Sequence, residues 1–271
     1  KERNPVSIAI GVAYAFSNYM IGYSWNIMWM DCIMVLPLIV LGFIRLMEEN
    51  KPGLYAVSMF YCLYCNYYIG FMICIFMVLW FFAYRHGGIR KFFVHGVRFA
   101  FYSLLSGGMA AFSLLPAYFG IMSTAAGDMK LPGLKWYGSI YKMMRQMFFL
   151  TKPITNQTFD GNVNLYCGTF AILAIFLYMF VRNISIYEKL SKLSILAFLM
   201  ISFNAENLNY IWHGMHNQYG IPNRFSFLFI FIVLVMAYDV LRNIKNIPQT
   251  GVLVGGFLSF LFLFLCQKNV Y

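Results

Sequence analysis

Long apolar runs bounded by charged residues restrict the fold of this chain more than any other feature. About 20 mainly apolar residues are needed for a helix to cross a bilayer. Backbone groups in lipid must be hydrogen-bonded internally, and none of the runs alternates like a barrel strand, so the runs predict helices. The apolar stretches are residues 6–23, 27–44, 53–84, 97–119, 165–181, 190–203, 225–241 and 250–266.

The composition agrees with an all-α polytopic membrane protein. Hydrophobic residues make up 61% of the 271 residues and charged residues 11%, whereas soluble domains have about 45–50% apolar and about 25% charged residues. The net charge of +11 would suggest nucleic-acid binding in a soluble chain. In a membrane chain it orients the helices, so we predict no nucleic-acid partner.

The stretch 53–84 carries basic residues at both ends. Arg45 and Lys51 precede it, and Arg85 and Arg90 follow it. Since basic residues concentrate in short cytoplasmic loops, both ends are expected on the cytoplasmic side. The stretch is therefore predicted to be two short helices joined by an outer turn near 66–68, and the total becomes about nine membrane helices in a single transmembrane domain, 1–271.

The same charge pattern places a long loop, 120–164, on the outer face. Within it, residues 134–149 mix basic and apolar side chains, which is typical of an amphipathic helix lying in the membrane interface. Lys135, Lys142 and Arg145 either anchor this helix or contact a lipid phosphate or an anionic polymer. The loop also contains the N-x-T sequon of Asn156.

The six cysteines lie within or beside apolar runs, where cysteine behaves as a small hydrophobic residue. Cys62 and Cys65 form a C-x-x-C pair without a second pair or a nearby histidine. We predict neither a disulfide framework nor a metal site from them.

Polar groups at membrane depth are costly, so those at the outer ends of the helices are the candidate substrate contacts. Asp31 is expected about one helical turn inside the outer boundary, where it either positions a sugar hydroxyl or pairs with a cation, or serves as a helix cap or ion-pair partner. Four further residues complete the predicted contact set: Asn26, Tyr67, Tyr68 and Glu206.

The loop 204–224 has the highest density of polar side chains. Arg224 enters the next apolar run, where a guanidinium can bind a phosphate with two hydrogen bonds. His213 and His216 can bind the same phosphate or act as acid or base. A structural role for the loop is the main alternative, and a metal site is weakly supported because no third ligand has suitable spacing. The sequence contains no phosphate loop, nucleophile elbow, HExxH or Rossmann motif, which argues against an ATP-driven or cytosolic nucleotide-sugar enzyme.

Four segments in order along the chain resemble the bacterial YfhO membrane proteins. They are YSWNIMWMDCIMVLPLIVLGFIRLMEENKPGLY (23–55), CNYYIGFMICIF (65–76), NLYCGTFAIL (164–173) and LNYIWHGMHNQYGIPNRFSFLF (208–229). That family is similar to the GT-C glycosyltransferases of the cytoplasmic membrane. The resemblance implies a multi-pass enzyme that transfers a sugar from a polyprenyl-phosphate carrier to teichoic or lipoteichoic acid on the outer face, alongside a polyprenyl-phosphate sugar synthase and a small flippase.

The resemblance also implies roles for the residues. Arg224, His213 and His216 would face the carrier phosphate. Asp31 would contact the acceptor or a divalent cation, and the need for such a cation as a cofactor is left open. The catalytic acidic residue of the GT-C pattern follows a first helix that is expected ahead of Lys1, so the chain is interpreted as an internal fragment. A lipid-linked sugar transporter or flippase, or an envelope-assembly scaffold, remains the alternative function.

Overall fold

The computed structural model describes residues 4–123, 131–155, 163–216 and 220–268. It is 74% helical. Within these ranges the extended backbone pairing amounts to one isolated antiparallel bridge between Trp136 and Ala205. The prediction of an all-helical protein is therefore confirmed.

The chain divides into two compact units. The first contains residues 1–25, 133–209 and 218–271, and the second contains residues 26–132 and 210–217. The prediction of a single transmembrane domain over 1–271 stays a prediction.

The helices of the first unit surround α12. They are α1 (Pro5–Ala15), α2 (Asn18–Tyr23), α8 (Ile140–Met144), α9 (Phe170–Tyr178), α10 (Ile186–Asn204), α12 (Ser226–Arg242) and α13 (Gln249–Lys268), with α11 (Glu206–Trp212) running from this unit into the other. Helix α12 contacts α1, α9 and α10 and buries most of its side chains. Because it is apolar on every side, it forms the core of the unit.

Helices α9 and α13 approach each other closely at two glycines. A Cβ at Gly251 would lie 2.7 Å from Phe180 Cβ, and one at Gly255 would lie 2.7 Å from Leu177 Cδ2. Ser259 continues the spacing, which makes a small-xxx-small pattern along one side of α13. Small residues at this spacing let helices in a membrane pack backbone to backbone.

The second unit is built on α3 (Ile27–Glu48), α4 (Gly53–Cys65), α5 (Tyr67–Ala83), α6 (Ile89–Met109) and α7 (Ala111–Met122). The ring of Phe43 contacts Tyr55 at the start of α4 and Phe81 near the end of α5. At the other end of α3, the Cys32 thiol donates to the Cys62 carbonyl at 3.2 Å. Helices α4 and α5 therefore fold back on each other at Asn66, where the sequence predicted the turn.

Fewer helices than predicted qualify as membrane spans. By length and composition, the described residues contain three candidates, Pro5–Tyr23, Ile27–Glu48 and Gln249–Gln267, or four if the pair α6–α7, bent by 77°, is one broken span. Helix α9 has nine residues, which rise about 14 Å, whereas the hydrocarbon core is about 30 Å thick. A membrane location with several apolar helices is supported, but nine membrane helices are not confirmed.

The predicted amphipathic helix over 134–149 is much shorter in the structure. Helix α8 covers Ile140–Met144 and continues as a 3₁₀ turn, Arg145–Met147. Ahead of it, the backbone of 135–138 is bonded to residues 204–206 instead of to itself. The Asn156 sequon lies outside the described residues.

Candidate functional site

Arg224 lies at the entrance to α12 on a backbone that several side chains hold in place. The Tyr19 hydroxyl donates to the Arg224 carbonyl at 2.7 Å, and the Tyr23 hydroxyl donates to the Pro222 carbonyl at 3.2 Å. Both tyrosines are fully buried. These hydrogen bonds fix the backbone that carries Arg224.

The guanidinium of Arg224 is half-buried, and its Nε donates to the Ile221 carbonyl at 3.2 Å. It also lies close to the Tyr23 hydroxyl. A guanidinium at a helix entrance offers charge and hydrogen-bond donors, which is the chemistry that binds a phosphate.

Two buried asparagines support the turn that leads to Arg224. The Asn209 amide donates to Asn223 Oδ1 at 2.6 Å. Asn223 has φ of 49°, in the left-handed region, where asparagine is tolerated better than most residues. The turn is therefore defined by side-chain amides as well as by its own backbone.

Glu206, a predicted substrate contact, lies beside the segment 135–138. Its backbone N–H donates to the Lys135 carbonyl at 2.9 Å. Partial burial and the neighbouring Glu206 carboxylate raise the pKa of Tyr137 to about 12, so this phenol keeps its proton at neutral pH. Asn204 binds Gly138 twice, accepting from its N–H at 2.9 Å and donating to its carbonyl at 2.9 Å.

Three of the predicted residues come together in the second unit. The ring of Tyr68 lies 6.3 Å from that of His213 and 5.7 Å from that of His216. His213 is fully buried, whereas His216 is half-buried. We conclude that His213 supports the Tyr68 ring and that His216 is the more accessible imidazole of the pair.

Asp31 lies about one turn into α3 and is half-buried. It interacts with Tyr61 and Cys65 on the last turns of α4, just before Asn66. The carboxylate, a phenol and a thiol are thereby grouped at the Asn66 end of the unit. Tyr67, immediately after that turn, is 41% exposed.

Asn26 precedes α3 and is 8% exposed. Its amide nitrogen and the Tyr210 hydroxyl are buried, and neither has a hydrogen-bond partner in the described part of the chain. Buried donors are normally satisfied, so these two are suited to bind water or a ligand.

Sequence reasoning did not identify Tyr19, Tyr61 or Asn204. Tyr61 could have been found from its spacing, because it lies one helical turn before Cys65 at the end of the helix that precedes the predicted turn. Tyr19 and Asn204 act on backbone groups more than 60 residues away in the chain, and no local pattern records such a contact.

No group of three or more His, Cys, Asp or Glu side chains arranged to hold a metal ion occurs in the described ranges. The divalent cation left open by the sequence stays a prediction.

A protein-family model described as bacterial membrane protein YfhO matches residues 1–270. The match covers nearly the whole chain. No curated protein and no solved structure matches it.

Proposed function

The chain belongs to the YfhO family of bacterial membrane proteins, and we propose that it works as a membrane glycosyltransferase. In this proposal a sugar moves from a polyprenyl-phosphate carrier to teichoic or lipoteichoic acid at the outer face of the cytoplasmic membrane. The observation that carries the proposal is Arg224, a half-buried cation fixed at the entrance of α12 by Tyr19.

The chemical step needs stabilisation of the departing phosphate. When the bond between the sugar and the phosphate oxygen breaks, negative charge grows on the phosphate. A fixed guanidinium therefore stabilises the transition state more than it stabilises the bound substrate. Arg224 is proposed to supply this charge. Tyr23, which lies beside it, holds the backbone of the turn through the Pro222 carbonyl.

The residues predicted to contact the sugar or the acceptor include a group within the second unit. Asp31 with Tyr61 offers an acceptor and a donor for hydroxyl groups, and Tyr68 with His216 offers an aromatic face and an imidazole. His213, also predicted to contact the carrier phosphate, is proposed to position Tyr68, because it is fully buried. The carboxylate that takes the proton from the acceptor hydroxyl is not assigned to a residue of this chain.

The test is Arg224→Ala in the full-length protein, with glycosyl transfer to teichoic acid as the readout. Loss of one fixed donor to a developing charge lowers the rate about 100-fold or more. The Tyr19 bond goes to the main-chain carbonyl of residue 224 and is retained in the variant. Arg224→Lys keeps the charge but cannot form the bidentate hydrogen bonds of a guanidinium, so partial activity is expected.

Lys152→Ala is the matched control, because Lys152 is an exposed cation of the same unit. It should leave transfer unchanged. Normal transfer by well-expressed Arg224→Ala protein would refute the phosphate-binding role.

A transporter of lipid-linked sugars is the second candidate function. The 77° bend between α6 and α7 favours it, since broken helices line substrate paths in many transporters. Transport of a fluorescent polyprenyl-phosphate sugar across vesicles, without acceptor and unaffected by Arg224→Ala, would support this function over transfer.

A further inference from the structure

An apolar groove of about 570 Å³ opens along α9 and α13 in the first unit. Its walls include Phe170 and Leu173 of α9, Gly256 and Phe260 of α13, and Phe149 from the segment after α8. Since α9 and α13 touch closely at Gly251 and Gly255, the groove lies where the pair no longer packs so tightly.

The groove is positioned to meet membrane lipid. Helix α13 is a candidate span of which only 22% is buried, and Phe260 is 67% exposed. An exposed apolar helix face in a membrane protein contacts acyl chains. A Cβ at Gly256 would meet nothing within 4 Å, so this glycine leaves part of the groove open.

Two exposed cations lie on the segment that precedes the groove-lining Phe148, and this segment contacts α13. Lys142 in α8 and Arg145 in the following turn precede the groove-lining Phe148 by six and three residues, and Phe148 packs on Phe262 of α13 at 6.1 Å between ring centroids. Neither cation forms a salt bridge within the described ranges. Basic residues beside an apolar surface at the membrane interface attract anionic lipid headgroups.

We propose that this groove binds an anionic diacyl phospholipid, with one acyl chain along α9 and α13 and the phosphate at Lys142 and Arg145. Pockets of about 300–1,000 Å³ accommodate drug-sized molecules, so the groove suits one acyl chain better than a long polyprenyl chain. The site is separate from Arg224 and its test does not depend on glycosyl transfer.

Native mass spectrometry of the purified protein with phosphatidylglycerol or phosphatidylcholine tests the proposal. Phosphatidylglycerol should bind more tightly, and Lys142→Ala and Arg145→Ala should each weaken its binding about fivefold. Gly256→Leu should weaken the binding of both lipids, because its side chain fills the groove. Arg90→Ala and Gly107→Leu are the matched controls, since the exposed Arg90 belongs to the second unit, which contributes no residue to the groove, and a Cβ at Gly107 also meets open space.

Equal binding of the two lipids, or no change in the cation variants, would overturn the proposal. Displacement of phosphatidylglycerol by equimolar polyprenyl phosphate would overturn it in favour of a carrier-lipid site. The cation variants change only exposed side chains, so they keep the test valid if Gly256→Leu fails to fold.

Discussion

Among the described glycines of the second unit, Gly42 has the least room for a side chain, and its replacement by alanine gives a sharp test of the fold. A Cβ on Gly42 would lie 2.5 Å from Tyr55 N, 2.7 Å from Tyr55 Cα and 2.9 Å from the Leu54 carbonyl carbon. Favourable contacts between carbon atoms lie at about 3.5–4.0 Å, so α3 and α4 would have to separate by about 1 Å. Backbone atoms cannot rotate away as a side chain can.

The cost of this separation can be bounded. Overpacking a well-packed core costs about 1–3 kcal/mol, and the clash with backbone favours the upper end of that range. For a chain of this size, 1 kcal/mol shifts the melting temperature by about 2–4 °C, so Gly42→Ala should lower it by about 5–10 °C. The same separation would weaken the contacts of Phe43 with Tyr55 and of Cys32 with Cys62.

Thermal unfolding of the detergent-purified protein, followed by near-ultraviolet circular dichroism, measures the shift. Gly107→Ala is the control, because a Cβ there meets nothing within 4 Å and alanine favours a helix over glycine by about 1 kcal/mol. It should keep or raise the melting temperature. If Gly42→Ala melts within about 1 °C of the parent, the close contact of α3 and α4 is not as described.

Two further predictions concern the polar contacts of the first unit. Lys192 is buried and joins Asp239 at 2.9 Å and the exposed Glu188 at 2.8 Å. Lys192→Met should therefore cost about 1–3 kcal/mol by leaving the partly buried Asp239 carboxylate without its cation; an unchanged melting curve would contradict this. Asn204→Ala removes two hydrogen bonds to Gly138 and should speed tryptic cleavage at Lys135, whereas cleavage at the parental rate would show that the loop is held by other contacts.

The turn at Asn66 could be predicted from the sequence because two independent signals meet there. Basic residues at both ends of 53–84 require the stretch to return, and asparagine is a common helix cap. In the structure the Asn66 side chain accepts from the Ile69 N–H at 2.9 Å and caps α5. The basic residues at the ends and the capping residue at the turn are local features, so both can be recognised in a single sequence.

The lengths of the shorter helices could not be predicted in the same way. The apolar run 165–181 looks continuous, yet α9 begins only at Phe170. Gly168 has φ of 118°, which a helix does not permit, and Asn18 N–H donates to the Tyr166 carbonyl at 2.8 Å. Hydropathy reports that these residues avoid water, but not whether they are helical.

Buried asparagines explain why the polar residues of the first unit are harder to place than its helices. An amide side chain carries both a donor and an acceptor, so it can pair with a peptide group much as a neighbouring strand would. Asn164 does so with Ile154, accepting at 2.8 Å and donating at 3.0 Å, and Asn204 does so with Gly138. Each contact joins a loop to a distant segment without any periodic pattern.

The same argument applies to Arg224. Apolar packing fixes α12, but the backbone that presents Arg224 is bonded to Tyr19 and follows Asn223, which is paired with Asn209. In an interior with few polar groups, each such hydrogen bond is stronger than it would be in water, and an unpaired partner is costly. The direction of the guanidinium therefore depends on a few buried polar side chains that contribute nothing to the hydropathy pattern. Apolar periodicity determines where the helices form, and these side chains determine where the cation points.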